Sequence, residues 1–178
     1  SMPDLSFYPE PYLLDNALKN PTTFGQKNKE AIAELTAIAD LNLAPFEKVE
    51  EKIKAALRDK NPWKRYWGLI VCSSFGIEAK GLVPLIQTIL QIDKENLVRI
   101  RAAEYLMLNK ISFDKKILKN LLANADSETE ANLMLNTLSL IKEHEPNTKF
   151  NFSKEIFPVQ WYDKPNDLVN RRSELLLN

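Results

Sequence analysis

Few residues in this chain are of types that do chemistry. The only histidine is His144 and the only cysteine is Cys72. A thiol and an imidazole can form a nucleophile–base pair, but one of each cannot build a four-ligand zinc site. Cys72 falls where the helical pattern puts core residues, so it reads as packing rather than as a nucleophile. His144 lies between Glu143 and Glu145 at a helix end and reads as solvated. Paired carboxylates such as Glu50-Glu51 sit beside Lys48, Lys52 and Lys54 and read as one charged helix face. With four glycines in the chain, no glycine-rich phosphate loop can be assembled, and neither of the two common phosphate-binding spacings occurs. Catalytic residues, cofactor sites and metal sites are therefore all expected to be absent.

Two clusters remain. Trp63, Tyr66 and Trp67 recur at helical spacing, which suits either a stacking platform for a sugar or a partner, or core between helices. Alignment with packing positions favours core. Lys64, Arg65, Arg99 and Arg101 fall at matching places in a repeated phrase and could form a basic ridge facing sulfate groups or an acidic patch on a neighbouring domain. The competing and favoured reading is internal, with Arg99 bonding turn carboxylates such as Asp59 and Asp93.

That phrase organises the chain. Leu57-Arg58-Asp59-Lys60-Asn61-Pro62-Trp63-Lys64-Arg65-Tyr66-Trp67-Gly68 is answered by Asp93-Lys94-Glu95-Asn96-Leu97-Val98-Arg99-Ile100-Arg101-Ala102-Ala103-Glu104. A weaker copy follows at Asp126-Ser127-Glu128-Thr129-Glu130-Ala131-Asn132-Leu133. Asp59, Asp93 and Asp126 are 34 and 33 residues apart. Such a fixed period marks stacked supersecondary units. The period pairs Gly68 with Ala102, Leu69 with Ala103, Cys72 with Leu106, and then Tyr105 with Leu138. Small residues at Gly68, Ala102 and Ala103 permit close helix approach.

The elements follow from apolar spacing and caps. Ile32, Leu35, Ile38 and Ala39 predict a helix over 26–40. Pro45 opens a second at its first position, carrying Phe46, Val49, Ile53, Ala56 and Leu57 on one face. Asn61 caps a third that begins at Pro62 and stops near Gly76. Further helices are expected over 81–90, 97–108 and 114–123, and from the Ser127/Glu130 capping box to about residue 142. No strand-type alternation occurs across these residues. The expected fold is all-α, a right-handed superhelix of stacked antiparallel helical hairpins. It divides into an irregular lead-in over 1–25, with a helical turn near Tyr12–Leu18, repeats over 26–142, and an aromatic-rich tail over 143–178 ending in a short helix.

Composition bounds the function. The 178 residues suit one domain or one repeat array. Lys plus Arg and Asp plus Glu both total 24, so bulk charge argues against nucleic acid. A glycosylase built on helical repeats would need a basic groove and is disfavoured for the same reason. No apolar run long enough for a bilayer is expected, and no membrane partner. A single cysteine excludes an internal disulfide and leaves the compartment open. Ser1-Met2 reads as a tag-removal scar, so the natural chain is expected to extend further toward its N-terminus.

The pattern at Asp93, Val98, Arg99, Ala102, Ala103 and Leu106 resembles a short bacterial HEAT-type repeat. More specifically, residues 57–69 with their Arg65-Tyr66-Trp67-Gly68 helix resemble the helical C-terminal extension of some bacterial sulfatases. The order of later phrases agrees: Gly76-Ile77-Glu78-Ala79, Val98 through Leu106, and Asn136-Thr137-Leu138. The resemblance covers roughly 30–142. It implies a non-catalytic accessory region whose partner is the catalytic sulfatase domain of its parent chain or another protein, in a periplasmic or extracellular setting. The sulfatase nucleophile motif, Cys-x-Pro-x-Arg or Ser-x-Pro-x-Arg, does not occur, so no catalytic residue carries over. A free-standing HEAT-type protein-binding scaffold is the alternative.

Overall fold

The structure, a computed structural model, describes residues 21–164 and 167–177. The expected helical turn near Tyr12–Leu18 and most of the lead-in lie outside the described residues. Among those described, eight α-helices and no strand occur: α1 Pro21–Ala39, α2 Phe46–Leu57, α3 Pro62–Phe75, α4 Val83–Ile92, α5 Asn96–Leu108, α6 Lys116–Ala123, α7 Glu128–His144 and α8 Leu168–Leu177. The protein is all-α.

Local chemistry explains most of the boundaries. The Asn61 side chain accepts the Trp63 amide at 2.9 Å, and Pro62 fills the first helical position where no amide partner is needed. α3 stops at Gly76, whose φ of 57° is open to glycine at little cost. Ser127 caps α7 by accepting the Glu130 amide at 3.1 Å. The other half of the expected capping box is rearranged. The Glu130 carboxylate bonds the Asp126 amide at 2.7 Å, one residue short of the cap. α5 ends in a Schellman motif, with Ile111 N–H on the Leu106 carbonyl at 2.8 Å and Lys110 N–H on that of Met107 at 3.0 Å. The left-handed position of that motif is held by Lys110, φ 59°, rather than by glycine.

Three boundaries differ from the sequence expectation. α1 begins at Pro21, ahead of the expected Gln26, because Gly25 lies at an exposed helical site with nothing within 4 Å of where its Cβ would be. Pro45 is the residue before α2, with extended backbone, rather than its first turn. α6 starts at Lys116, two residues late, with its amide held by the Asp114 carboxylate at 2.9 Å.

α2 lies against α3, α4 against α5, and α6 against both α5 and α7. α3 also contacts α5, α5 contacts α7, α1 lies against α3, and α8 against α7. The burial pattern has the same logic. α2 buries the single stripe Phe46, Val49, Ile53, Ala56 and Leu57. α5 and α7 are buried on more than one side, as Ala102 through Leu106 in unbroken succession make plain. A helix with neighbours on two or three sides needs apolar or small residues around its circumference. Gly68 serves the closest approach: a Cβ there would sit 3.1 Å from Leu57 Cδ2 and 3.3 Å from Ala56 Cβ.

One sequence expectation needs correction. The helical run Pro62–Ile92 contains an 18-residue window with mean hydropathy 1.6, apolar and long enough by composition to cross a bilayer. The chain instead turns through a 3₁₀ segment at Gly76–Leu82. The run is therefore two helices of 14 and 10 residues that belong to different helix pairs. At about 1.5 Å per residue neither reaches the roughly 30 Å of a hydrocarbon core.

Candidate functional site

The turns inside the three helix pairs, at Arg58–Asn61, Asp93–Glu95 and Asn124–Ser127, open the repeated phrase, and the four basic residues singled out in the sequence lie in the helices that follow, Lys64 and Arg65 in α3 and Arg99 and Arg101 in α5. Asp59 and Asp93 play the same local part. The Asp59 carboxylate accepts the Asn61 amide at 2.8 Å, and that of Asp93 accepts the Glu95 amide at 3.0 Å. Each thereby shapes its own turn and leaves a negative charge at the helix start.

Arg65 joins the first turn to the second. Its Nε and one terminal nitrogen donate to the two Asp93 oxygens at 2.7 and 2.9 Å. The other terminal nitrogen donates to the carbonyls of Asp59 and Lys60 at 2.9 and 3.1 Å. The fork geometry of a guanidinium suits such bidentate recognition. Asn96 joins the second turn to the third, donating to the Asn124 carbonyl at 2.9 Å and to Glu130 at 3.2 Å. Both clips reach 28 residues along the chain. Glu130 is 6% exposed, and burial pushes its carboxyl above the usual carboxylate range, against the pull of the Asp126 amide and Asn96.

The other members of the basic group are also engaged. Lys64 pairs with Glu34 at 2.8 Å and lies 3.7 Å from Asp59. Arg99 donates through Nε to the Leu90 carbonyl at 2.8 Å, rather than to Asp59 or Asp93. Arg101 lies apart from the turns. It donates to Glu104 at 2.9 Å and to the Tyr66 hydroxyl at 3.0 Å, with its guanidinium 5.0 Å from the centre of the Tyr66 ring. Burial opposes its charge, but Tyr66 and Glu104 outweigh that and hold its pKa above the ordinary arginine value. The structure thus brings Lys64 and Arg65 to the first turn, sets Arg99 on the second pair, and uses Arg101 between α3 and α5.

The aromatic cluster faces inward. Trp63 and Tyr66 are 3% and 1% exposed, packed edge to face with ring centres 5.6 Å apart. Trp67 is partly buried against the same core, 6.3 Å from the Tyr66 ring. Cys72 has no solvent exposure, and burial pushes its thiol up to about 12. A thiol so disposed supplies almost no thiolate near neutrality. His144 is exposed at the end of α7.

The turns also bound an open groove of about 500 Å³ with an apolar floor that includes Leu57, Pro62, Ile89 and the largely exposed Ile92. At the opposite end of α5, the sequence reading passed over Lys110, Lys115, Lys116, Lys119 and Lys149. The local signal was the 115, 116, 119 spacing, which puts lysines on one stretch of α6. Their convergence with Lys149 needs the fold. Comparison of the chain with protein-family models, curated proteins and solved structures gives no match.

Proposed function

We propose that this chain is a non-catalytic helical-repeat module of the HEAT-like, right-handed stacked-hairpin type, acting through contact with protein. The carrying observation is the pair of turn-to-turn clips. Arg65 on Asp93 and Asn96 on the Asn124 carbonyl each tie one turn to the next across 28 residues, and Asn96 also reaches Glu130, 34 residues on. Ties between neighbouring units are what an array uses to hold its register, and here two chemically different ones serve, a bidentate ion pair from Arg65 and a side-chain amide from Asn96 on a carbonyl. The side chains best suited to chemistry meanwhile serve packing: Cys72 is sealed, and Trp63 and Tyr66 fill the core. A rigid array of this kind offers surface, and surface is spent on partners.

The specific form we favour is the C-terminal accessory region of a bacterial sulfatase, buried along one face against the catalytic domain and shaping its substrate cleft. Its support is the resemblance of residues 57–69 and 98–106 described above. The reading frame upstream of Pro3 tests it. A Cys-x-Pro-x-Arg or Ser-x-Pro-x-Arg motif there is the expected finding, and a natural start codon at Met2 overturns it. The groove beside Ile92 favours a second reading, a free-standing scaffold for another protein. A pull-down giving one stoichiometric partner, with no sulfatase domain in the same chain, selects that reading.

A further inference from the structure

The lysines at the far end of α5 carry an inference about the chemistry of a partner. Two clefts meet there. One, of about 210 Å³, lies between α6 and the returning chain at 149–152, and is lined by Lys115, Lys116, Lys119 and Lys149 together with Phe150 and Phe152. The other, of about 380 Å³, is lined by Lys110, Ile111, Phe113 and again Lys115. Lys115 is the shared wall, so the two form one bent groove.

The balance of charge at this groove is lopsided in a chain whose formal net charge is zero. Five lysines face two carboxylates, Asp114 and Glu145. Asp114 holds the Lys116 backbone amide. Glu145 lies 3.4 Å from Lys110. Lys115, Lys116, Lys119 and Lys149 have no ion pair among the described residues, and all four are exposed. Like charges gathered without counter-charges repel one another, and a negative partner relieves that repulsion. The groove walls between the lysines are apolar: Ile111, Phe113, Phe150 and Phe152 are each partly or wholly buried against the core.

We infer that this groove docks an acidic, partly apolar peptide segment of a protein partner, with carboxylates on Lys115, Lys116, Lys119 and Lys149 and apolar side chains in the two clefts. The inference rests on the reading of the chain as a protein-contact module and adds the partner's chemistry. A sulfated polysaccharide shares the negative charge and would meet the same lysines, but it has no apolar side chains to set against Ile111, Phe113, Phe150 and Phe152. A basic rim around an apolar floor fits a peptide better.

The probe is a short fluorescein-labelled peptide alternating Asp or Glu with Leu or Phe, titrated with the whole chain by fluorescence anisotropy. Saturable binding is expected at low salt, weakening as added salt shortens the screening length. The Lys115→Glu/Lys119→Glu double variant is expected to bind at least about tenfold more weakly, as is Lys149→Glu to a lesser degree. These side chains are exposed, so the variants should fold, and an unchanged circular-dichroism melt checks that they do. Replacing Leu and Phe in the probe by Ser is also expected to weaken binding. Absence of binding, or binding indifferent to the lysine variants, overturns the inference. A heparin fragment that binds while the peptide does not overturns it as well. If the peptide fails while an upstream catalytic domain still co-purifies with the module, the partner chemistry is wrong and the module reading stands. If the peptide binds and no upstream domain exists, the inference holds and the sulfatase reading falls.

Discussion

Two single residues hold backbone that most side chains avoid, and they make opposite predictions. Gly76 ends α3 with φ 57°, and its carbonyl accepts the Tyr105 hydroxyl at 3.0 Å. A Cβ there has room, the nearest atom being Asn109 Oδ1 at 3.8 Å. The cost of Gly76→Ala is therefore backbone strain alone, about 1–2 kcal/mol of lost stability in chemical denaturation. Lys110 also has positive φ, 59°, one residue past Asn109, the C-cap of α5. Lys110→Gly removes that strain and should stabilise by up to about 1 kcal/mol, because the gain is offset by the larger entropy of an unfolded glycine. The paired measurement fails its purpose only if both changes move the midpoint the same way. Gly76 was legible in the sequence as a stop, since a glycine after an apolar periodic run is a common C-terminal signal. Lys110 was not, because the signal that places a left-handed residue there is the pair of Schellman hydrogen bonds and not the residue type.

At the scale of elements, the clips decide how firmly the pairs are joined. Arg65 makes four hydrogen bonds in a site where its side chain is 15% and that of Asp93 6% exposed. Lysine offers a point charge in place of a fork. Arg65→Lys should cost about 2 kcal/mol, and Arg99→Lys, which loses one bond to Leu90, about 1 kcal/mol. Equal costs would show that the turn-to-turn clip contributes nothing special. Glu130 gives a second test, by pH. Its folded pKa lies above the roughly 4.3 of an unfolded glutamate. Between the two values the native state binds more protons, so stability falls as pH rises through that window. Glu130→Gln removes the ionisation. The parent should lose more stability than the variant as pH rises above the value of an unfolded glutamate, and parallel pH profiles would contradict the burial argument. The sequence revealed the starts of α3 and α7 because caps are local. It equated Arg65 with Arg99 by period, yet their partners differ for a reason that period cannot express. Twenty-eight residues beyond Arg65 stands Asp93, whereas the same step from Arg99 reaches Ser127, whose hydroxyl is already engaged in capping α7. Arg99 turns back to its own pair instead.

For the whole molecule, the question is how the helical body closes beyond α7 without leaving an apolar face in water. α7 buries Met134, Leu135, Leu138 and Ile141 along with polar Asn132 and Thr137, more than its contacts with α5 and α6 alone can cover. The remaining side is closed by the tail. α8 lies along α7, with Val169, Ser173 and Leu176 buried. Arg172 donates to the Asn132 carbonyl at 2.8 Å, and Lys142 holds the last carbonyls of α8, that of Leu176 at 3.0 Å. Lys154 then ties the irregular segment to Asn170 at 2.7 Å, which leaves Phe150 and Phe157 packed in the core. The dense aromatics of this tail and its closing helix were legible in the sequence. Which face it covers was not, because that depends on where α7 is left open. A chain ending at His144 should therefore expose a contiguous apolar face, the condition that favours self-association. The expected outcome is a lower and broader thermal transition with concentration-dependent oligomers in light scattering. Arg172→Ala in the full chain, which loses one bond but keeps the helix, should cost only about 1 kcal/mol. A truncated chain that melts as sharply as the parent and stays monomeric would mean that α7 is stable with one side bare, and that the tail is dispensable to the fold.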